Sequence, residues 1–284
     1  MRTVRDLSAL RHVVGEARSE GRRIGFVPTM GALHEGHLSL VRRAKAECGY
    51  AIVSIFVNPL QFAPDEDFER YPRRAEEDAA LLQPAGTDLL YAPSHASFYS
   101  PDFSTSVEVA RVTDGGEGAA RPGHFRGVTT VVAKLLLQVG PDVAYFGRKD
   151  LQQTAVIRRM VRDLDFPLRV VVCDTIREAD GLAMSSRNAF LSSEQRVRAA
   201  ALSRALFHAR ERAASGQTDA RRLEEETREE LETAGLPVDY VELVETATMA
   251  RAEVAGPGAA LAAAVRVGKT RLLDNVLFEE RKTP

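Results

Sequence analysis

The chain has 284 residues, with 38 Lys and Arg against 40 Asp and Glu and a formal net charge of −2, long enough for two domains of ordinary size. That balance provides no overall cationic field, which argues against a nucleic-acid partner. No apolar run reaches the length of a membrane span, and charge interrupts the first residues, Met1 to Leu7, where a leader would be apolar.

The two cysteines, Cys48 and Cys173, fall in an expected helix and an apolar strand, and neither has a metal-like partner at short spacing. They read as reduced core thiols of a cytoplasmic protein. Leu7, Leu10, Val13, Val14 and Ala17 form the stripe of an amphipathic helix ending near Gly21. Arg23 to Val27 is a short strand, and Pro28 to Gly31 a tight turn. Leu38, Leu40, Val41 and Ala44 then mark a helix that opens with His34 and His37. Two imidazoles three residues apart in the first turn stand on one face, where backbone N–H groups and the helix dipole favour an anion.

Ala51 to Val57 is almost continuously apolar, as in a parallel strand buried on both faces. A charged helix over 72–83, a strand over 87–92, a short strand at Val107 to Val109 and a long loop over 111–127 follow. A helix over 128–139, a strand over 142–146, a helix over 151–164 and a strand over 168–173 complete the alternation. This is the rhythm of an α/β, doubly wound parallel sheet of the Rossmann-like type with right-handed crossovers. Beyond Asp174 the pattern becomes α+β: helices near 193–214 and 218–234, then strands near 238–245, 259–267 and 270–278 with a hairpin turn at Gly268-Lys269. The expected domains are 1–175, binding nucleotide and a small substrate, and 176–284, a smaller lid.

Two further stretches suit ligand chemistry. Gly147-Arg148-Lys149-Asp150 stands at a strand-to-helix junction, where Gly147 permits close backbone approach and Lys149 and Gln153 are expected on one helix face. Met184-Ser185-Ser186-Arg187-Asn188 offers hydroxyls and a guanidinium for phosphate oxygens. Asp65-Glu66-Asp67 and Glu76-Glu77-Asp78 read as solvated helix charges. No metal cage is expected, and Mg²⁺ would be held mainly by nucleotide phosphates.

Pro28-Thr29-Met30-Gly31 with His34-x-Gly36-His37, Asn58-Pro59-x-Gln61-Phe62, Tyr71-Pro72-Arg73, Arg121 to Gly127, Phe146 to Gln153 and Met184 to Asn188 together resemble the pantoate–β-alanine ligases, or pantothenate synthetases. The resemblance spans roughly residues 23–192. It implies condensation of pantoate with β-alanine, with ATP as substrate, through a pantoyl adenylate, with release of pyrophosphate and AMP. It also implies a homodimer, with no nucleic-acid or membrane partner. By this resemblance Met30, His34, His37, Gly147, Arg148, Lys149, Asp150, Ile176, Met184, Ser185, Ser186 and Arg187 form the ATP site. Gln61 and Gln153 hold pantoate, Gln61 also meets β-alanine, and His37, His34, Lys149, Ser185 and Arg187 carry the chemistry. The sequence departs from the family pattern at Leu136-Leu137, read as a packing change, and at Glu77, where an Asp near the metal is expected.

Two readings from other classes compete. An RNA-modifying enzyme related to the class I aminoacyl-tRNA synthetases would need a basic surface. A nucleotide sensor would not need Lys149, Ser185 and Arg187 all placed for phosphate chemistry.

Overall fold

A computed structural model describes residues 1–64, 66 and 68–278. The chain forms two compact units that are not consecutive lengths of sequence. Unit 1 comprises residues 1–109, 121–148 and 156–174, and unit 2 comprises 110–120, 149–155 and 175–284.

Unit 1 holds six parallel strands: β1 (Arg2–Val4), β2 (Arg23–Thr29), β3 (Gly49–Ile55), β4 (Leu89–Tyr91), β5 (Val143–Gly147) and β6 (Arg169–Cys173), in the order β1-β4-β3-β2-β5-β6. The sheet is therefore doubly wound, and Ile24, Phe26, Val27, Ile52 and Val53 are wholly buried, as strands covered on both faces require. Helices α1 (Leu7–Ser19), α2 (Glu35–Cys48), α3 (Ala75–Leu82) and α4 (His95–Phe98) precede α5 (Gly116–Ala120), α6 (His124–Val139) and α7 (Leu151–Asp163). Asp6 caps α1 by accepting the Ala9 N–H at 2.8 Å, and of the expected stripe, Leu10, Val13, Val14 and Ala17 are buried while Leu7 is half-buried.

The first strand was not anticipated, because three residues on a sheet edge leave almost no pattern. The strand expected at Val107 to Val109 is absent: the Val107 N–H donates to Thr130 Oγ1 at 3.0 Å, and Thr129 Oγ1 donates to the Val107 carbonyl at 2.5 Å. Hydroxyls of α6 thus satisfy this backbone where a neighbouring strand would have. The loop expected over 111–127 contains α5, and α6 starts at His124, just after Gly123 in the left-handed region at φ 81°.

In unit 2, α8 (Ser193–Ala214) and α9 (Ala220–Thr233) pack on an antiparallel sheet of β7 (Val238–Glu245), β8 (Ala259–Val267) and β9 (Thr270–Leu277). Leu202, Leu206, Leu223, Leu231, Leu243 and Leu261 form its core. The opposite face carries a smaller cluster in which Leu151 meets Val244, Ala260 and Ala262. Among the described residues no helix is long and apolar enough to cross a membrane.

Candidate active site

The strand order reverses at β2. The β2–β3 ladder runs to Thr29–Ile55, whereas β2–β5 pairing is confined to Gly25–Val143 and Phe26–Ala144. The two strands part before their carboxyl ends, at the switch point where open α/β sheets bind ligands.

The turn after β2 is fixed by a carboxylate from another helix. Asp78 of α3, 1% exposed, accepts the Ala32 N–H through Oδ2 at 2.9 Å and the Leu33 N–H through Oδ1 at 2.7 Å. Gly31 has φ 82°, and a Cβ there would stand 2.9 Å from Asp78 Oδ2, so neither the conformation nor the space admits a side chain. Burial pushes the Asp78 carboxyl above its ordinary value, against the pull of the Leu33 and Ala32 amides. The reading of Asp78 as a solvated charge is therefore corrected.

His34 is the N-cap of α2 in extended conformation, and His37 is the third helical residue. Their ring centroids lie 4.1 Å apart, and the His34 N–H donates to His37 Nδ1 at 3.4 Å. A nitrogen that accepts an amide hydrogen carries none, so the neutral His37 ring has its hydrogen on Nε2. The amides of Ala32 and Leu33 are spent on Asp78, and that of His34 on His37. Those of Glu35 and Gly36, the first two helical positions, have no intrahelical acceptor.

Gln61 ends a 3-10 turn, Pro59–Gln61, that packs against α6 so closely that a Cβ on Gly127 would fall 2.1 Å from the Leu60 carbonyl oxygen. Asn58, wholly buried, accepts the Leu60 N–H at 3.3 Å and the Tyr99 hydroxyl at 3.0 Å. It donates to the Gly127 carbonyl and to Gln61 Oε1, both at 3.1 Å. Gln61 Nε2 lies 3.1 Å from Met30 Sδ. The Gln61 carbonyl accepts from His124 Nδ1 at 2.8 Å and from Arg121 at 3.3 Å, and Arg121 pairs with both Glu66 oxygens at 2.6 Å. Glu66 is thus ion-paired rather than solvated. Burial alone would raise its carboxyl, but the hydrogen bonds and charge of Arg121 outweigh that and hold it below the ordinary value. Asp65 and Asp67 lie outside the described residues.

The remaining expected residues divide between the units. Gly147 and Arg148 belong to unit 1, where Arg148 donates to Asp174 Oδ1 at 2.8 and 3.1 Å. Lys149, Asp150, Gln153, Ile176, Met184, Ser185, Ser186 and Arg187 belong to unit 2. Lys149 precedes α7 by two residues, so the helix face expected to carry both Lys149 and Gln153 does not include Lys149. Its Nζ stands 3.3 Å from Asp150 Oδ1. Ile176 and Met184 face each other across a hairpin, the Met184 N–H donating to the Ile176 carbonyl at 3.0 Å. Ser185 then caps a 3-10 helix, Ser186–Phe190, by accepting the Arg187 N–H at 3.3 Å, which leaves its O–H to donate elsewhere.

The sequence model for pantoate-beta-alanine ligase matches residues 2–277. The chain belongs to the pantoate-beta-alanine ligase family. The pantothenate synthetase of Heliobacterium modesticaldum is 51% identical over 280 residues, covering 98% of this chain and 100% of that one. That of Acidobacterium capsulatum is 56% identical over 261 residues, covering 91% and 87%. Among solved structures, pantothenate synthetase from Thermus thermophilus superposes with a TM-score of 0.93 at 48% identity, over 97% of this chain and 99% of that one. The pantoate-beta-alanine ligase of Francisella tularensis, complexed with beta-gamma ATP and beta-alanine, has a TM-score of 0.83 at 32% identity, over 100% and 99%.

Within this ligase the described residues include no cluster of three His, Cys, Asp or Glu side chains that could hold a metal ion. Glu77, at the position where the family pattern suggests an Asp, has a side chain 68% exposed and paired with Arg74. Leu136 is buried, but Leu137 is 69% exposed, so only the first of that pair fits the packing expectation. Asp78 and Gln152 received no individual role from the sequence. Gln152 is buried, donates to the Val112 and Gly115 carbonyls at 2.9 Å each, and accepts the Glu117 N–H at 2.8 Å. Its place three and four residues before Ala155 and Val156, on the buried side of α7, was the available signal.

Proposed function

We propose that this ligase condenses (R)-pantoate with β-alanine through a pantoyl adenylate. A pantoate carboxylate oxygen attacks the ATP α-phosphorus, and the bond to the bridging oxygen breaks to release pyrophosphate. The amine of β-alanine, its ammonium proton lost to water, then attacks the acyl carbon, AMP leaves with the bond's electron pair, and the nitrogen gives up a second proton to water as the amide forms. The product, pantothenate, is a precursor of coenzyme A. The observation that carries this reading is the family match over residues 2–277, which includes every residue of the candidate site. The Francisella relative, complexed with beta-gamma ATP and beta-alanine, supports these two as ligands here.

His37 donates its Nε2 hydrogen to phosphate oxygens whose charge grows as pyrophosphate departs, and His34 adds a second imidazole beside it. Lys149 and Arg187 neutralise phosphate charge, and the Ser185 hydroxyl donates to a phosphate oxygen. Met30, Gly147, Arg148, Asp150, Ile176, Met184 and Ser186 complete the ATP site. Gln61 and Gln153 hold pantoate, and Gln61 also meets β-alanine. Mg²⁺ arrives on the ATP phosphates, which suits an ion that keeps several waters and takes few protein ligands. The enzyme works in the cytoplasm as a homodimer. The sheet-edge strand β6, whose Val170, Val171 and Val172 are partly exposed, supports the latter.

Pantoate-dependent exchange of labelled pyrophosphate into ATP tests the reading. Exchange without β-alanine, together with AMP formation when all three substrates are present, is the expected result. Exchange that requires β-alanine would overturn the two-step order.

A further inference from the structure

Two adjacent residues of β9 reach two different parts of unit 2. Successive strand residues face opposite sides of a sheet. Asp274 accordingly shares the α8 and α9 face with Leu272 and Val276, while Asn275 shares the other face with Leu277, which packs against the Leu151 cluster. Both are buried, at 2% and 4% exposure.

Asn275 Nδ2 donates to the Lys149 carbonyl at 2.9 Å. That carbonyl lies in the turn between β5 and α7, outside the helical ladder, where a backbone acceptor must find a donor elsewhere. On the other face, Asp274 receives both ends of the Arg177 guanidinium, at 2.5 and 3.0 Å. Arg177 also donates to the Gly181 carbonyl at 3.1 Å and to the Asn275 carbonyl at 3.3 Å, and its guanidinium lies 4.8 Å from the Phe207 ring centroid. Arg177 thereby pins the hairpin that runs from Ile176 to Met184 and delivers Ser185, Ser186 and Arg187. A buried ion pair is a weak way to add stability compared with apolar packing, but a bidentate one holds a fixed geometry.

We infer that Asp274 and Asn275 are positioning residues for the phosphate-handling groups of unit 2: Asn275 sets the main chain that presents Lys149, and Asp274 sets the hairpin that presents Ser185 to Arg187. The inference rests on the proposed roles of Lys149 and Arg187, and it deepens them.

The test compares Asn275→Ala, Lys149→Ala and the double variant in the pyrophosphate-exchange assay, with thermal unfolding used to keep every measurement on folded protein. Asn275→Asp, which keeps the shape and replaces the donor by an acceptor, gives an independent reading. We expect each Asn275 variant to lose at least tenfold in kcat while the pantoate KM stays within twofold. In the Lys149→Ala background the Asn275→Ala loss should shrink below twofold, because residues that act through one group are not additive. Wild-type kcat in both Asn275 variants, or losses that multiply in the double variant, would overturn the inference. A wild-type enzyme without pantoate-dependent exchange would instead remove the functional reading on which it stands.

Discussion

Asn58 donates to Gln61 Oε1 at 3.1 Å, which turns the Gln61 Nε2 group toward Met30 Sδ, 3.1 Å away. The Asn58 amide is itself oriented by one backbone donor, Leu60, and one backbone acceptor, Gly127. With one Nε2 hydrogen directed at that sulfur, Gln61 keeps the other for a ligand, which suits the lone pairs of a hydroxy acid. Asn58→Asp puts an acceptor against Gln61 Oε1 and should raise the pantoate KM at least tenfold while leaving the ATP KM within a few-fold. Steady-state kinetics with each substrate varied checks this. An ATP-specific defect would contradict the assignment of Gln61.

For His37, the cap contact uses Nδ1, and the proposed phosphate contact would use Nε2. His37→Asn keeps an acceptor near the Nδ1 position for the His34 amide but removes the Nε2 donor. It should retain most of the stability lost in His37→Ala, yet both variants should be slower by about 10²–10³ in kcat, the usual consequence of losing one such donor. Parallel unfolding and single-turnover measurements separate the two effects. Recovery of turnover in His37→Asn would show that the cap was the whole role.

Lys149 and Arg187 share unit 2 rather than lying on opposite sides of the expected domain boundary. Alanine at either position should depress adenylate formation strongly. Lys149→Arg should not restore it fully, since a planar fork and a point charge fill different geometries. Quenched-flow measurement of pantoyl adenylate checks both, and normal adenylate formation in both alanine variants would refute the assignment.

The Glu66–Arg121 pair yields a pH dependence. The folded carboxyl of Glu66 is held below its unfolded value of about 4.5. It therefore contributes stability that is fully present above that value and is lost as pH falls through the folded pKa. Glu66→Gln should cost about 2 kcal/mol near neutral pH, the scale of a hydrogen bond to a charged group. The difference from wild type in unfolding midpoint should narrow as the pH drops below about 4.5. A difference independent of pH between 3 and 7, roughly the span of carboxylate titration, would show that the ionised form is not favoured in the fold.

The alternation of strands and helices was legible because β2 and β3 bury an apolar run, with polar Thr29 and Ser54 only near their carboxyl ends, and α2 carries its stripe at regular spacing. The imidazole pair was legible for a local reason: a helix start brings residues three apart together whatever surrounds it. Glu66 was not, since its partner Arg121 lies 55 positions away. Asp78 was hidden among acidic neighbours, although it stands four residues before the buried Leu82 on the inward stripe of α3, which was the available clue. The pairing of Lys149 with Gln153 failed because periodicity cannot say where the first helical turn begins. Val107 to Val109 has the alternation of a strand, but the hydroxyls that took its hydrogen bonds belong to a helix that starts well downstream.

The interleaving of the two units bears on how the chain is made. Residues 110–120 and 149–155 leave the ribosome long before β7, β8 and β9, yet belong to the same unit. Glu117 waits for Tyr240 and Arg271, which its carboxylate meets at 3.0 and 2.7 Å, and Leu151 waits for the sheet residues it packs against. No single cut yields two self-contained pieces. A fragment ending at residue 175 would carry polar and apolar groups with no partners to bury them, the kind of exposed surface that makes an incomplete chain prone to aggregate.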